Sequence, residues 1–361
     1  MKERNIGHLI LAALRSRVLR SPYRLSFFVR NAFRIRRAEA THRRMQKDEP
    51  GVIPTILAIS PTMRCNLDCG GCYSRRRPEE EELTTGEFRS LLDQAEELGV
   101  SAVVLTGGEP LLRQDTVSMV EEHKRLLFVM ISNGGPLTEE KAHRLAGSGN
   151  CLVLISIDGD SEAHDRRRGE GSHRLAMRAM NLLRESRCPF GFATVNTREN
   201  WRTYMETDFL VDMIRRGCAL GLFTEYVPVG PDPRNDWVME PGDRDTFRDW
   251  VLRQRERSGL MLVQFPQDEY GAANRCTGAG IRSLHINSQG GIEPCPFVNV
   301  SVESIRDGGL LTACRSPFLA SLRATPGILA RDTMACSLFE HLDTVKTLSN
   351  CASPPPEPPS A

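Results

Sequence analysis

Ser60-Pro61-Thr62-Met63-Arg64-Cys65-Asn66-Leu67-Asp68-Cys69-Gly70-Gly71-Cys72-Tyr73 gathers three thiols within a single turn-rich loop, in a C-x3-C-x2-C spacing. Thiolates are the usual ligands of iron–sulfur clusters, and three of them on a four-iron cube leave one iron open. The same three thiolates, completed by a nearby His, Asp or water, would also suit zinc. The surrounding chain has to separate the two.

On the N-terminal side, Ile53 to Ile59 reads as a strand that delivers the loop. On the C-terminal side, short apolar runs alternate with amphipathic stretches, the pattern of βα units and a parallel sheet. Helix Thr84 to Leu98 opens on a capping box, with Thr84 as N-cap and Glu87 three residues on. Strands are expected at Ala102 to Leu105, Leu126 to Ile131, Cys151 to Ile157, Phe190 to Val195 and Leu220 to Tyr226. Helices are expected at Thr138 to Ala146, His173 to Ser186, Trp201 to Arg216 and Arg244 to Arg257. Six βα units over residues 53–258 are too few to close an eight-strand barrel.

In parallel α/β folds ligands bind at the C-terminal strand ends, and the polar motifs fall there. The second strand ends in Thr106-Gly107-Gly108-Glu109-Pro110, the third in Ser132-Asn133-Gly134, the fourth in Ser156-Ile157-Asp158-Gly159 and the fifth in Thr194-Val195-Asn196. Taken with the cysteine loop, this order resembles the radical S-adenosylmethionine (SAM) superfamily. The resemblance implies an α/β fold, a partial (β/α)6 TIM-like barrel over 51–265, with Cys65, Cys69 and Cys72 holding a [4Fe-4S] cluster. It implies that SAM chelates the open iron and is cleaved by one electron to a 5′-deoxyadenosyl radical that abstracts a substrate hydrogen. Gly107, Gly108, Glu109, Asn133, Ser156 and Asp158 are the residues it assigns to SAM. Glycines admit close backbone approach, and a carboxylate suits the SAM ammonium. One departure stands out. Many members carry an aromatic residue before the third cysteine, against adenine, whereas this chain has Gly71; Tyr73 is one alternative face.

Further along, Cys276 and Cys295 flank Ser283-Leu284-His285-Ile286-Asn287, the turn Ser288-Gln289-Gly290-Gly291 and a return strand at Ile292. Such a hairpin brings the two cysteines together. It resembles the SPASM and twitch extensions, which implies an auxiliary [4Fe-4S] cluster in a small α+β iron–sulfur extension over 266–348. Cys276, Cys295 and Cys336 are its candidate ligands. Cys314 is either the fourth or a packed structural thiol. Zinc or a plain packed hairpin are the alternatives. Cys151, Cys188 and Cys218 read as core residues, and Cys351 adjoins a Pro-rich tail, 349–361, expected to be disordered.

Eleven cysteines with no signal-peptide pattern fit cytoplasmic metal and thiol chemistry. Net charge is +1, which argues against nucleic acid, yet residues 1–50 hold thirteen Lys/Arg against four Asp/Glu. This basic N-terminal helical arm, broken at Pro22 into two helices, admits two readings. One is a pair of helices packed on the barrel with solvated arginines. The other is peripheral membrane contact through residues 1–40. The partners implied are an electron donor such as flavodoxin or ferredoxin and a peptide or small-molecule substrate, a membrane lipid included. Glu225, Asp268 and Glu269 are candidate bases or surface carboxylates. A non-catalytic Fe–S or zinc binding protein is the alternative of another class.

Overall fold

The protein was examined as a computed structural model that describes residues 21–49, 53–74, 81–271 and 274–352. Nine strands form one sheet: β1 (Ile56–Ile59), β2 (Ala102–Leu105), β3 (Leu127–Ser132), β4 (Cys151–Ser156), β5 (Phe190–Asn196), β6 (Leu220–Glu225), β7 (Met261–Phe265), β8 (Ser283–Ile286) and β9 (Ile292–Glu293). Their order is β7-β6-β5-β4-β3-β2-β1-β8-β9, and the sheet curls into a half-barrel. All neighbours are parallel except β8 and β9.

The six βα units form as the sequence implies, and two features add to them. Residues 261–265 follow the Ser258-Gly259 turn as a seventh consecutive parallel strand, and a run this short carries no helix-versus-strand signature of its own. The C-terminal hairpin also joins the barrel sheet directly, since β8 lies parallel to β1 with Ile56 opposite Ser283. That pairing spans more than two hundred residues of chain, and local patterning does not encode it.

The helices in chain order are α1 (Pro22–Asp48), α2 (Thr85–Leu98), α3 (Thr116–Glu122), α4 (Glu139–Ser148), α5 (Ser161–Arg168), α6 (Ser172–Glu185), α7 (Trp201–Glu206), α8 (Phe209–Arg216) and α9 (Pro241–Arg257); α10 (Gly309–Cys314), α11 (Pro317–Ala324), α12 (Ser337–Glu340) and α13 (Leu342–Ala352) belong to the C-terminal part. The α2 capping box forms as the sequence implies, and Gly99 closes the helix at φ 79°. The helix expected over Trp201 to Arg216 is two, because the Thr207 hydroxyl bonds Thr203 O at the end of α7 and accepts Phe209 N at the start of α8. Helix α13 reaches Ala352, so the expected tail loses its first residues to a helix; residues 353–361 lie outside the described residues.

Helix α1 takes a different course. It starts at Pro22, and the expected helix before it lies outside the described residues. Phe27, 3 % exposed, packs among Leu152, Leu154 and Ala193, the sheet face opposite Val153 and Ile155 of the main core. Asn31 and Arg34 bond Gly149 O before β4, and Arg34 also bonds Lys124 O before β3. His42 Nε2 lies 2.9 Å from Ile53 O before β1. The helix therefore crosses the N-terminal ends of the strands as a floor, leaving the C-terminal ends to the cysteine loop.

Candidate active site

The loop after β1 is held by backbone. Gly108 N donates to Thr62 O at 3.0 Å and Glu109 N to Arg64 O at 2.8 Å. A Cβ on Gly108 would sit 2.3 Å from Arg64 O and 2.6 Å from Met63 O, so only glycine lets the β2 end lie against the cysteine loop. Gly107, at φ 95°, is pressed onto Ser60 in the same way. Tyr73 closes the arrangement: its hydroxyl pairs with Thr106 Oγ1 at 2.8 Å and accepts Gly107 N at 3.3 Å. Its ring meets Phe297 of the C-terminal part edge-on at 6.0 Å.

The three loop cysteines are free thiols within electrostatic reach of one another. Cys65 is exposed, yet burial of its sulfur, with Glu109, Cys69 and Cys72 nearby, pushes its thiol up to about 11. Burial raises Cys69 too, against the pull of Arg168 and Arg167. A thiol held protonated this way is released by a metal, since the ligating form is the thiolate. Among the described residues no three His, Cys, Asp or Glu side chains converge on the point of a single ion.

The carboxylates assigned to SAM are engaged with the chain itself. Glu109, 1 % exposed, accepts Leu111 N, Ser132 Oγ and Asn133 N at 3.0, 2.8 and 2.7 Å, which ties the β2 end to the β3 end. Burial pushes its carboxyl up while those donors oppose the shift. Oε2 takes one of the three bonds and keeps room for a further donor. Asp158, equally buried, is engaged by three donors of the chain. Oδ2 accepts Arg167 Nη1 and Arg168 Nε, each at 2.6 Å, and Oδ1 accepts Val195 N at 2.9 Å. Burial would raise it, but Arg168 and Arg167 outweigh burial and hold it well below the usual carboxylate range. Both arginines come from the last turn of α5, in the run Arg166-Arg167-Arg168. Arg167 O also receives Gly70 N of the cysteine loop at 2.9 Å. Asn133 Nδ2 lies 3.7 Å from Cys65 Sγ and 2.9 Å from Asn66 Oδ1. Ser156 is buried at the end of β4.

The space at Gly71 is filled from elsewhere. With φ 61°, its Cβ would meet Tyr226 Cε2 at 2.9 Å and Trp237 Cζ3 at 3.0 Å. Those two rings, which follow β6, stand edge to face at 5.6 Å, and the Arg234 guanidinium covers Trp237 at 4.7 Å. Sequence reasoning missed them because they lie more than 150 residues from the loop. Three buried donors here have no partner among the described residues: Arg167 Nε, Trp237 Nε1 and Asn196 Nδ2. Buried donors are rarely left unmet, so these β4–β6 strand ends fit a polar cofactor.

In the C-terminal part Cys276, Cys295 and Cys336 are buried, and burial raises all three thiols, Cys336 up to about 12, with Cys276 adding to the rise at Cys295 and Cys336. Cys314 stands apart in the core on α10, where burial pushes it up to about 12 and Arg323 is its charged neighbour. Tyr270 stitches the group together, donating to Ala335 O and accepting Ser337 N. None of the candidate bases is free. Glu225, 1 % exposed rather than on the surface, binds Arg244 at 2.5 Å and Gln267 at 2.9 Å. Asp268 pairs with Arg248 and Arg255, and Glu269 with Arg282.

Residues 59–211 match the family described as the Radical SAM superfamily. The mycofactocin maturase MftC of Mycobacterium tuberculosis is 30 % identical over 311 residues, 81 % of this chain and 77 % of the relative. The chain belongs to the radical SAM superfamily. It is an enzyme, and its cofactors are a [4Fe-4S] cluster and SAM. The AdoMet-dependent heme synthase of Nitratidesulfovibrio vulgaris is 26 % identical over 281 residues, 70 % of this chain and 76 % of that protein. The crystal structure of Streptococcus suis SuiB bound to S-adenosylmethionine shares the fold, with TM-score 0.64 at 21 % identity over 76 % of this chain and 68 % of SuiB.

Proposed function

We propose that this radical SAM enzyme modifies a peptide, with the catalytic cluster on Cys65, Cys69 and Cys72 and an auxiliary cluster on Cys276, Cys295 and Cys336. The observation that carries the substrate class is the similarity to the PqqA peptide cyclase of Gluconobacter oxydans, 29 % identical over 250 residues that span 67 % of this chain and 70 % of that protein. When bound, the cluster and SAM supply one-electron cleavage to methionine and a 5′-deoxyadenosyl radical. The chain's own residues do the rest. Gly107 and Gly108 would bring backbone to the SAM amino group. The free lone pair of Glu109 Oε2 would accept an N–H of that group, and among SAM's other polar groups Arg167 Nε and Asn196 Nδ2 would find partners. Trp237 and Tyr226 supply the aromatic face that Gly71 vacates. Ser156 lies at the same strand ends.

Cys314 takes no part in this scheme, so an auxiliary cluster on three cysteines would leave one iron for substrate. Cys65, on the exposed side of the loop, is the entry for an electron from a flavodoxin or ferredoxin. A second reading, a heme-type macrocycle as substrate, is supported by the similarity to the heme synthase. The test uses the reconstituted holoenzyme with SAM and dithionite, challenged separately with the peptide and tetrapyrrole fractions of cells that express it. A peptide-dependent rise in 5′-deoxyadenosine with a mass change in one peptide is expected. Stimulation by the tetrapyrrole fraction alone would replace the peptide reading with the second.

A further inference from the structure

The floor helix α1 has two faces of different character. Phe27, Asn31, Ile35 and His42 turn inward and are buried. On the opposite side Leu25, Val29 and Phe33 recur at every fourth residue and are 39, 45 and 61 % exposed, a stripe that a helix stacks along one edge. Continuing toward the C-terminus, that outward face carries Arg36, Arg37, Arg43, Arg44 and Lys47, all exposed, with Arg30 at its flank. None of these six cations has a carboxylate in ion-pair range among the described residues. Four exposed arginines elsewhere are answered by the chain itself: Arg89 by Glu122, Arg125 by Glu96, Arg166 by Glu162 and Arg306 by Glu87.

An outward face about 40 Å long that is apolar at one end and uncompensated cationic along the rest matches one surface chemistry. From this juxtaposition we infer that α1 docks the enzyme on an anionic phospholipid surface. Leu25, Val29 and Phe33 enter the interface, and the Arg36–Lys47 half lies over the headgroups. The partner is an anionic lipid rather than a second copy of the chain, because an isologous contact would bring the six cations against one another unless acidic surface faced them. The placement also serves the reaction. α1 crosses the N-terminal strand ends, so docking leaves the cysteine loop at the other end facing away from the lipid. The preceding segment, residues 1–20, adds five Lys/Arg against one Glu to the same end of the chain.

The test is co-sedimentation of the full-length reconstituted enzyme with vesicles of phosphatidylcholine alone or with about 30 % phosphatidylglycerol. Binding is expected on the anionic vesicles alone and should fall steeply with salt. Each charge removed should weaken it about fivefold, so the Arg36→Gln, Arg37→Gln, Arg43→Gln, Arg44→Gln variant should lose at least two orders of magnitude. The Leu25→Ser, Val29→Ser, Phe33→Ser variant should lose at least about tenfold. Both variants should keep wild-type iron content and SAM cleavage, which controls for folding. The salt titration of the wild type tests the charge contribution independently of any variant. Equal binding to neutral vesicles, no binding, or anionic binding that survives both variants overturns the inference. So does self-association in sedimentation velocity that Phe33→Ser abolishes while vesicles are ignored.

Discussion

Replacing Gly108 by alanine would set a methyl carbon 2.3 Å from Arg64 O and 2.6 Å from Met63 O. Side-chain carbons do not approach closer than 3.0 Å, so the Arg64 carbonyl has to retreat by about 0.7 Å, the difference between the two distances. Cys65 follows directly in the chain and moves with it. The bonds Gly108 N to Thr62 O and Glu109 N to Arg64 O, at 3.0 and 2.8 Å, are stretched by the same shift. Overpacking of this kind costs about 1–3 kcal/mol of stability. The larger effect is on chemistry, where misplacement approaching 1 Å lowers rate by up to about 100-fold. Gly108→Ala should therefore bind SAM at least about tenfold more weakly by anaerobic calorimetry and cleave it about 10–100-fold more slowly. The control is Gly147→Ala on α4, where nothing lies within 4 Å of the new carbon. It should gain about 0.5–1 kcal/mol and leave SAM binding untouched. Wild-type SAM affinity in Gly108→Ala would refute the argument that backbone contact at β2 positions the cysteine loop.

Other consequences are equally measurable. Asp158→Asn leaves Arg167 and Arg168 buried without their counter-charge and should cost about 3–5 kcal/mol in denaturant unfolding; a cost below about 1 kcal/mol would mean the arginines find other partners. His164 is buried, accepts Asp158 N at 3.2 Å and is lowered to about 4 by burial and by Arg168. The unfolded chain takes up a proton at this imidazole between about pH 6.5 and 4 that the folded chain refuses. Stability from His164 is thus complete above that window and lost as pH falls through it, by about 3 kcal/mol. His164→Gln, which keeps an acceptor but does not titrate, should flatten thermal unfolding between pH 7 and 4.5; an unchanged slope would assign the acid sensitivity elsewhere. For the C-terminal cysteines, Cys336→Ala should remove the auxiliary iron and Cys314→Ala should leave it, read by iron and sulfide analysis of a chain that already lacks the loop cysteines.

The cysteine loop, the GGE turn and the order of polar strand ends were legible because each is written in adjacent residues. Spacing within a loop and alternation within a strand survive folding unchanged. What escaped was encoded across distance. β7 is five residues long and has no periodicity to mark it, and β8 finds β1 only in the folded sheet. Asp158 looked free in sequence because Arg167 and Arg168 reach it through the turn into α5. Gly71 looked like a missing aromatic, whereas Tyr226 and Trp237 occupy its space from the far side of the barrel. The basic arm offered two readings at once; the inner face of α1 packs as barrel floor, and the outer face is the one proposed to meet the membrane.

Counting clusters tests the account most directly. Wild type and a Cys65→Ala, Cys69→Ala, Cys72→Ala variant would be reconstituted anaerobically, iron and sulfide measured, and 5′-deoxyadenosine assayed with SAM under dithionite. The account predicts about eight irons falling to about four in the variant, with SAM cleavage abolished. About four irons falling to none would contradict the auxiliary cluster, and SAM cleavage that persists in the variant would contradict the assignment of catalysis to the loop after β1.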